Sequence, residues 1–174
     1  RNLDRLRILD DLYGGRIKTF ASNPAHLEQS TRYADLLIGA VLVVGARTPK
    51  IVSEEMVKKM KKGSVIIDVA VDQGGSIETI DRVTTHADPI YEKHGVIHYA
   101  VSNMPGAVAR TSTFALANAT LPYALELANN GCEKAALNNR ALARGVNTYR
   151  GMLTCRAVAE SHNLDYCSLS QVIG

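Results

Sequence analysis

The chain has 174 residues, of which 46% are hydrophobic and 21% charged, a composition typical of a globular domain. Its net charge of +3 comes from dispersed basic residues, apart from Lys58-Lys59 and Lys61-Lys62 at the end of a predicted helix. Aromatic residues make up only 5% and tryptophan is absent, so neither a basic patch nor a stacking platform is indicated and we expect no nucleic acid partner.

Cysteine, histidine and apolar patterns bound the class of protein further. The three cysteines are widely spaced and form no CxxC pair, which favours reduced thiols in a cytoplasmic protein over a disulfide frame or a zinc site. The five histidines have no convincing metal-ligand spacing, so we treat them as structural or solvent-exposed and predict no metal site. No apolar run reaches the roughly 18 residues of a membrane span, and no signal peptide is evident, so we expect no membrane partner.

Capping residues predict three helices in the first part of the chain. Asn2 is a suitable N-cap and Gly14-Gly15 a stop for an amphipathic helix between them. Asn23-Pro24 begins a second helix that runs to about Arg32. A third is predicted over Ser53–Gly63, with acidic residues in its first turn and lysines in its last.

Apolar, β-branched runs between these helices predict buried strands. They fall at about residues 16–20, 35–41, 65–71 and 96–101. Strands that alternate with helices or long crossovers indicate a parallel α/β sheet. Gly39, inside the second run, indicates either a close approach by another group or tight packing of a helix on the sheet.

The stretch GSVIIDVAVDQGG, residues 63–75, is the most informative part of this pattern. It places Asp72 at the predicted carboxyl end of a buried strand, where open α/β sheets bind ligands, and follows it with two glycines. From the residues alone, Asp72 is equally a functional carboxylate or the cap of a turn. Val41, Asp72 and Asn103 follow three predicted parallel strands, so we expect them along one edge of the sheet.

From Thr111 the pattern changes to a long helix that ends at Asn129-Asn130-Gly131 and contains Pro122, where we predict a kink. A long helix leaving a sheet often crosses into a neighbouring domain. Residues 132–174 are predicted to be further helix and loop, without strand alternation. The GxGxxG loop that opens a dinucleotide-binding sheet does not occur, because Gly14-Gly15 follows a helix instead of preceding one.

Three long motifs carry a resemblance to a known family: DVAVDQGGSIET, YAVSNMPGAVARTSTFALANATLPY and LIGAVLVVGARTPKIVSEEMVKKMKKGSVIID. They resemble the second half of the alanine dehydrogenase and transhydrogenase NAD-subunit family. The resemblance implies an α/β, Rossmann-type parallel sheet whose first two strands and glycine loop lie upstream of Arg1. It implies that residues 1–108 are the remainder of the NAD(H)-binding domain. Residues 109–174 would then be a linking helix and the C-terminal part of the substrate domain.

The same resemblance implies an L-alanine dehydrogenase, which catalyses the NAD-dependent, reversible oxidative deamination of L-alanine to pyruvate and ammonium. It further implies a homohexamer. Two alternatives are the NAD-binding subunit of a proton-translocating transhydrogenase and a non-catalytic NAD-binding module. Because the missing strands are central in a Rossmann sheet, we expect that residues 1–174 alone do not form the native sheet and are inactive.

Site residues follow from the resemblance position by position. It implies that Asp72 is catalytic, because a carboxylate beside the nicotinamide can orient water or stabilise positive charge on the substrate nitrogen. The residues that the resemblance implies in contact with NAD are Arg5, Ser22, Val41, Leu42, Val69, Ala70, Val71, Asp72, Arg82, Val101, Ser102, Asn103 and Met104.

Overall fold

The computed structural model describes residues 2–173, which form two compact units. The first contains the residues up to Val41 together with Pro49–Ser102. The second contains Leu42–Thr48 together with the residues from Asn103 onward. The structural division therefore falls after Ser102, a few residues before the predicted boundary at residue 108.

The first unit is built on a mixed four-stranded sheet. Its strands are β1 (Leu36–Gly39), β2 (Val65–Asp68), β3 (Ile90–Lys93) and β4 (Val96–Tyr99), in the order β1-β2-β4-β3. Strands β1, β2 and β4 run parallel, with Gly39 opposite Asp68 and Ile67 opposite Tyr99. This arrangement confirms the predicted α/β class with a parallel sheet.

Helices α1 (Leu3–Tyr13), α2 (Pro24–Tyr33) and α3 (Glu54–Lys58) complete this unit, and their predicted N-caps Asn2, Asn23 and Ser53 are confirmed. The side chain of Asn2 accepts a hydrogen bond from the Arg5 backbone N–H, and Gly14 ends α1 with a φ of 56°. Helix α3 is shorter than predicted, since it ends at Lys58 and does not continue to Gly63. The lysines there pair with acids, as in Lys59–Glu28 at 2.5 Å.

The strand predicted at residues 16–20 is not formed. A strand is stable only where a neighbour takes up its backbone hydrogen bonds, and within residues 2–173 none lies beside this segment. Ile17 and Phe20 are consequently exposed. Strand β1 lies at the edge of the sheet with β2 as its one neighbour in the described chain, so its outer backbone groups are not paired in the sheet.

Strand β3 was missed by the sequence analysis, which predicted only a polar segment before the last strand. It pairs antiparallel with β4 through a tight turn at His94-Gly95. Both turn residues have positive φ, 58° and 76°, as a two-residue hairpin turn requires. The available sequence signal was Gly95, because a glycine readily adopts the positive φ of a hairpin turn.

The end of β2 also differs from the prediction. The strand stops at Asp68, and Val71–Gln73 forms a 3₁₀ turn instead of continuing the strand. Gly39 is explained by the same region, because a Cβ there would lie 2.5 Å from Ser76 Oγ and 3.1 Å from Asp68 Oδ1. The close approach at Gly39 is therefore made by side chains of the same unit.

The core of the first unit packs around β2 and β4 and the inner face of α3. Ile66 and Val96 are its fully buried strand residues, and Val57 is its contribution from α3. The other members of the cluster are Val52, Met60, Val71, Ile77, Ile80 and Ala100.

The second unit is mainly helical. Its elements are α4 (Ala109–Asn138), α5 (Arg140–Gly145), α6 (Arg156–His162), α7 (Leu169–Val172) and a short hairpin of β5 (Thr148–Tyr149) and β6 (Met152–Leu153). Helical torsions in α4 are interrupted at Gly131, with φ 73° and ψ 165°, which is where the sequence predicts the long helix to end. Pro122 lies inside α4 and keeps helical torsions. The hairpin was not predicted either; it turns at Arg150-Gly151, both with positive φ. No helix in the described chain is both long and apolar enough to cross a bilayer.

Gly39→Ala tests the packing at the end of β1. We expect it to lower the free energy of unfolding by about 1–3 kcal/mol, because the added methyl group overlaps Ser76 Oγ. Adding Ser76→Ala removes the closest atom and should recover part of this loss. Urea denaturation of the two variants and the parent measures both effects; equal stability of Gly39→Ala and the parent would contradict the prediction.

Candidate functional site

The candidate site lies where the parallel strands of the first unit end. Strands β1, β2 and β4 finish at Gly39, Asp68 and Tyr99, and parallel strands place these ends at one edge of the sheet. In open α/β sheets this edge is where ligands bind. Most of the predicted site residues of this unit follow one of these three ends.

Asp72 and Ser102 are brought together at this edge. Asp72 lies in the 3₁₀ turn after β2, and Ser102 follows β4 by three residues. The Ser102 hydroxyl donates a hydrogen bond of 2.6 Å to Asp72 Oδ1. Both side chains are exposed, so the pair presents a carboxylate to solvent with one of its two oxygens already bound.

The three residues before Asp72 differ in solvent exposure. The side chain of Val69 is 54% exposed, whereas Ala70 and Val71 are buried. The Val69 N–H donates to the Gly39 carbonyl at 2.7 Å, which continues the β1–β2 pairing by one residue. The exposed side chains in this segment are therefore the apolar Val69 and the carboxylate Asp72, while the buried Ala70 and Val71 can offer only backbone groups.

The other predicted residues near the strand ends have distinct surroundings. Val101 is buried and bridges to Thr84, and Val41 is half-buried in the first unit. Leu42, Asn103 and Met104 belong to the second unit. There Asn103 has a φ of 53° and accepts a hydrogen bond from the Gly106 N–H, which begins the 3₁₀ turn Met104–Val108.

Arg5 and Ser22 lie on exposed parts of the first unit outside this pair. Arg5 is in the first turn of α1, and its backbone N–H caps onto Asn2. Ser22 lies in the loop before α2. Within the described chain, neither is hydrogen-bonded to Asp72 or Ser102.

Arg82 is engaged by residues of its own unit. Its Nε donates to Asp81 Oδ1 at 2.8 Å, and its guanidinium group lies 4.7 Å from the centre of the Tyr91 ring. Hydrogen bonds from Arg82 and Lys93 lower the pKa of Asp81 to about 2. A ligand that binds Arg82 must bind it alongside Asp81 and Tyr91 or displace these contacts.

His98 is buried and also contacts Tyr91. Its ring stacks on Tyr91 with centroids 5.0 Å apart, and Nδ1 lies 2.9 Å from the Val96 carbonyl. Because a carbonyl only accepts, Nδ1 carries the proton, and Nε2 accepts from the Thr79 hydroxyl at 2.7 Å. Burial lowers the pKa of His98 from its ordinary value. The sequence-based interpretation of this histidine as structural agrees with these contacts.

The sequence analysis missed Asp68, the fully buried carboxylate at the true end of β2. Its oxygens accept hydrogen bonds from the backbone N–H groups of Ala70, Ser76 and Ile77 and from the Ser76 hydroxyl. An aspartate inside an apolar strand was the available signal, because a buried carboxylate is unfavourable unless it is hydrogen-bonded. Over the described residues, no group of three or more His, Cys, Asp or Glu side chains could hold a metal ion.

The fold and this edge define a class of protein: an α/β domain of the nucleotide-binding kind, with polar groups at the carboxyl ends of parallel strands. The chain belongs to the alanine dehydrogenase/PNT family, because residues 1–156 match the family model described as "Alanine dehydrogenase/PNT, C-terminal domain". The resemblance carried by the sequence motifs is thereby confirmed.

Individual relatives agree with this assignment. The chain is 59% identical over 165 residues to the alanine dehydrogenase of Methanococcus maripaludis. The matched stretch covers 95% of this chain and 44% of that protein. It is 56% identical to alanine dehydrogenase 2 of Staphylococcus aureus strain USA300, over 99% of this chain and 46% of that protein. A solved structure of an L-alanine dehydrogenase matches with 49% identity and a TM-score of 0.79, over 93% of this chain and 44% of that one. The chain thus spans less than half the length of these relatives.

His98 generates a pH prediction. Since burial lowers its pKa, the unfolded chain binds more protons than the folded protein below the ordinary value of 6.5. The free energy of unfolding should therefore be smaller at pH 5 than at pH 7.5, and His98→Gln should reduce this difference. Urea denaturation at the two pH values measures it; an unchanged pH dependence in His98→Gln would contradict the prediction.

Proposed function

We propose that this chain is part of an L-alanine dehydrogenase that catalyses the NAD-dependent, reversible oxidative deamination of L-alanine to pyruvate and ammonium. The observation that carries the proposal is the Asp72–Ser102 pair at the carboxyl edge of the sheet. The identity of 56–59% to proteins named alanine dehydrogenase supports the same reaction. Since those relatives are more than twice as long, we infer that activity requires further polypeptide beside this chain.

The residues at this edge fit a nicotinamide nucleotide. The exposed side chain of Val69, three residues before Asp72, offers an apolar surface for a flat ring. Gly74, with a φ of 94° and no atom within 4 Å of an added Cβ, leaves exposed backbone in the same turn. When bound, NAD supplies the hydride acceptor, and the protein orients it. The residues that we propose to hold it are Arg5, Ser22, Val41, Leu42, Val69, Ala70, Val71, Arg82, Val101, Ser102, Asn103 and Met104.

Asp72 has the chemistry that deamination needs. Its Oδ1 accepts from Ser102, which fixes the plane of the carboxylate and leaves Oδ2 to face a substrate or a water molecule. A carboxylate at this position stabilises positive charge on the substrate nitrogen as an amine becomes an iminium ion. It can also orient the water that attacks the iminium carbon and accept its proton.

The proposal extends to the assembly and the compartment. We propose a homohexamer, which the family resemblance implies. We also propose that it lies in the cytoplasm. The free cysteines Cys132, Cys155 and Cys167 support a reducing compartment. Analytical ultracentrifugation of the full-length protein measures the assembly state.

Asp72→Asn in the full-length enzyme tests the catalytic role. We expect kcat for alanine-dependent NADH formation to fall by about 10²–10⁴-fold, because the amide carries no charge and cannot accept a proton. The dissociation constant for NADH, measured by its fluorescence, should change little.

Asp35→Asn is a matched control for this variant. Asp35 is an exposed aspartate of the same unit that precedes β1, at the opposite end of the sheet, and pairs with Lys61. Its variant should keep the parent kcat. Unchanged turnover in Asp72→Asn would overturn the catalytic role, and NADH binding without any alanine oxidation by the parent would favour a non-catalytic NAD-binding module.

Ser102→Thr and Ser102→Val form a second, shape-matched test. Threonine keeps a hydroxyl that can donate to Asp72, whereas valine has the same shape without a donor. We expect kcat of the valine variant to be about 10- to 100-fold below that of the threonine variant, the effect of one hydrogen bond to a charged group. Steady-state kinetics at saturating NAD measures the ratio, and a ratio of one would remove the role assigned to this hydrogen bond.

A further inference from the structure

Asp68 is a fully buried carboxylate that the proposed reaction does not use. It ends β2, is fully buried, and lies four residues before Asp72. A carboxylate in such a place is strongly unfavourable unless hydrogen-bond donors replace its water. Its surroundings therefore need an explanation beyond the packing of an apolar core.

The two oxygens of Asp68 bind the two ends of one segment. Oδ1 accepts from the Ala70 N–H at 2.9 Å, just after the strand. Oδ2 accepts from the Ser76 N–H at 2.6 Å, the Ser76 hydroxyl at 3.2 Å and the Ile77 N–H at 3.2 Å. The carboxylate thus closes residues 69–77 into a loop around itself.

This loop is the segment that carries Asp72. Inside it, the Ala70 carbonyl accepts from both the Gln73 and Gly75 N–H groups at 2.9 Å, which winds the 3₁₀ turn. On its outer side, Lys50 Nζ donates to the Gly74 carbonyl at 2.6 Å and to the Ile77 carbonyl at 3.1 Å. The position of Asp72 is therefore set by contacts on both sides of the turn.

Two glycines make room for the carboxylate. A Cβ at Gly39 would lie 3.1 Å from Asp68 Oδ1, and a Cβ at Gly75 would lie 3.1 Å from Oδ2. Gly75 also has a φ of 72°, a conformation that other residues rarely adopt. The local sequence is thus built around the Asp68 carboxylate, with Gly39 and Gly75 making room for it and Ser76 bonding it.

We infer that Asp68 is a positioning residue for the reaction, acting through Asp72. It fixes the 69–77 turn so that Asp72 meets the Ser102 hydroxyl and presents its second oxygen outward. The inference rests on the proposed function, since it assigns the buried carboxylate a part in catalysis and not only in folding.

Asp68→Asn in the full-length enzyme is the first test. The amide keeps the shape, but its NH₂ group faces a backbone N–H donor whichever way it is turned. We expect kcat to fall by about 10- to 100-fold, the effect of a small misplacement of a catalytic group. The dissociation constant for NADH should change by a smaller factor than kcat, because of the proposed nucleotide contacts only Val69, Ala70 and Val71 lie in the loosened turn.

A double-mutant cycle separates positioning from a general loss of structure. If Asp68 acts through Asp72, then adding Asp68→Asn to Asp72→Asn should lower the residual kcat by less than about twofold. A residue that merely stabilises the fold would lower kcat by the same factor in both backgrounds. Hydrogen–deuterium exchange gives a readout without activity: residues 69–77 should exchange faster in Asp68→Asn while β2 keeps its protection.

Ser64→Ala is the matched control, because Ser64 is a buried polar residue at the opposite end of β2 and donates to the Ala34 carbonyl. It should leave kcat and the exchange of residues 69–77 unchanged. Parent-like kcat in Asp68→Asn, or equal losses in the two backgrounds, would overturn the inference while the proposed function stands. A parent enzyme that forms no NADH from alanine would overturn the proposed function, and the positioning role with it.

Discussion

The hydrogen bonds to the Asp68 carboxylate determine the path of the chain at the candidate site. A charged group at the end of a buried strand must be satisfied locally, and the nearest donors are the backbone N–H groups of the segment that follows. Satisfying them bends the chain into the turn that carries Asp72. The same requirement explains why Gly39 faces this point from the neighbouring strand, where a side chain would collide with Ser76. One interaction thus links packing within the sheet to the geometry of its functional edge.

Local features of the fold were predictable from sequence because local contacts determine them. Asn2 and Gly14 bound α1 through bonds to residues only a few positions away. The strand predicted at residues 16–20 was wrong, because its formation depends on a neighbour that no local pattern supplies. The extent of β2 was overestimated for a related reason: Val69, Ala70 and Val71 are β-branched or apolar, yet the hydrogen bonds to Asp68 override their propensity. The β3–β4 hairpin was missed although His94-Gly95 marked it.

The candidate site, like the fold, was predictable from the sequence only in part. That the segments after β2 and β4 meet at one edge follows from the direction of parallel strands, and the Asp72–Ser102 hydrogen bond agrees with it. The pattern of residues placed Asp72 at the carboxyl end of the predicted strand, and the family resemblance then implied its catalytic role, whereas Asp68 lay inside that predicted strand. Exposure separates them, since Asp68 is buried and Asp72 is at the surface. Nothing in the pattern of residues 76–93 indicated that Arg82 would stack on Tyr91, because that contact joins the crossover to β3.

The open side of β1 has a consequence for the behaviour of this half of the protein as a separate module. A strand edge with unpaired backbone groups is a template for any other extended chain, including a second copy of itself. Leu36 and Ile38 make that edge apolar, and both are more than half exposed. The ion pair of Asp35 with Lys61 places charge only at its beginning. A self-contained nucleotide-binding module made from these residues would therefore aggregate through this strand. Design of such a module should begin by covering β1 or by placing charge along it.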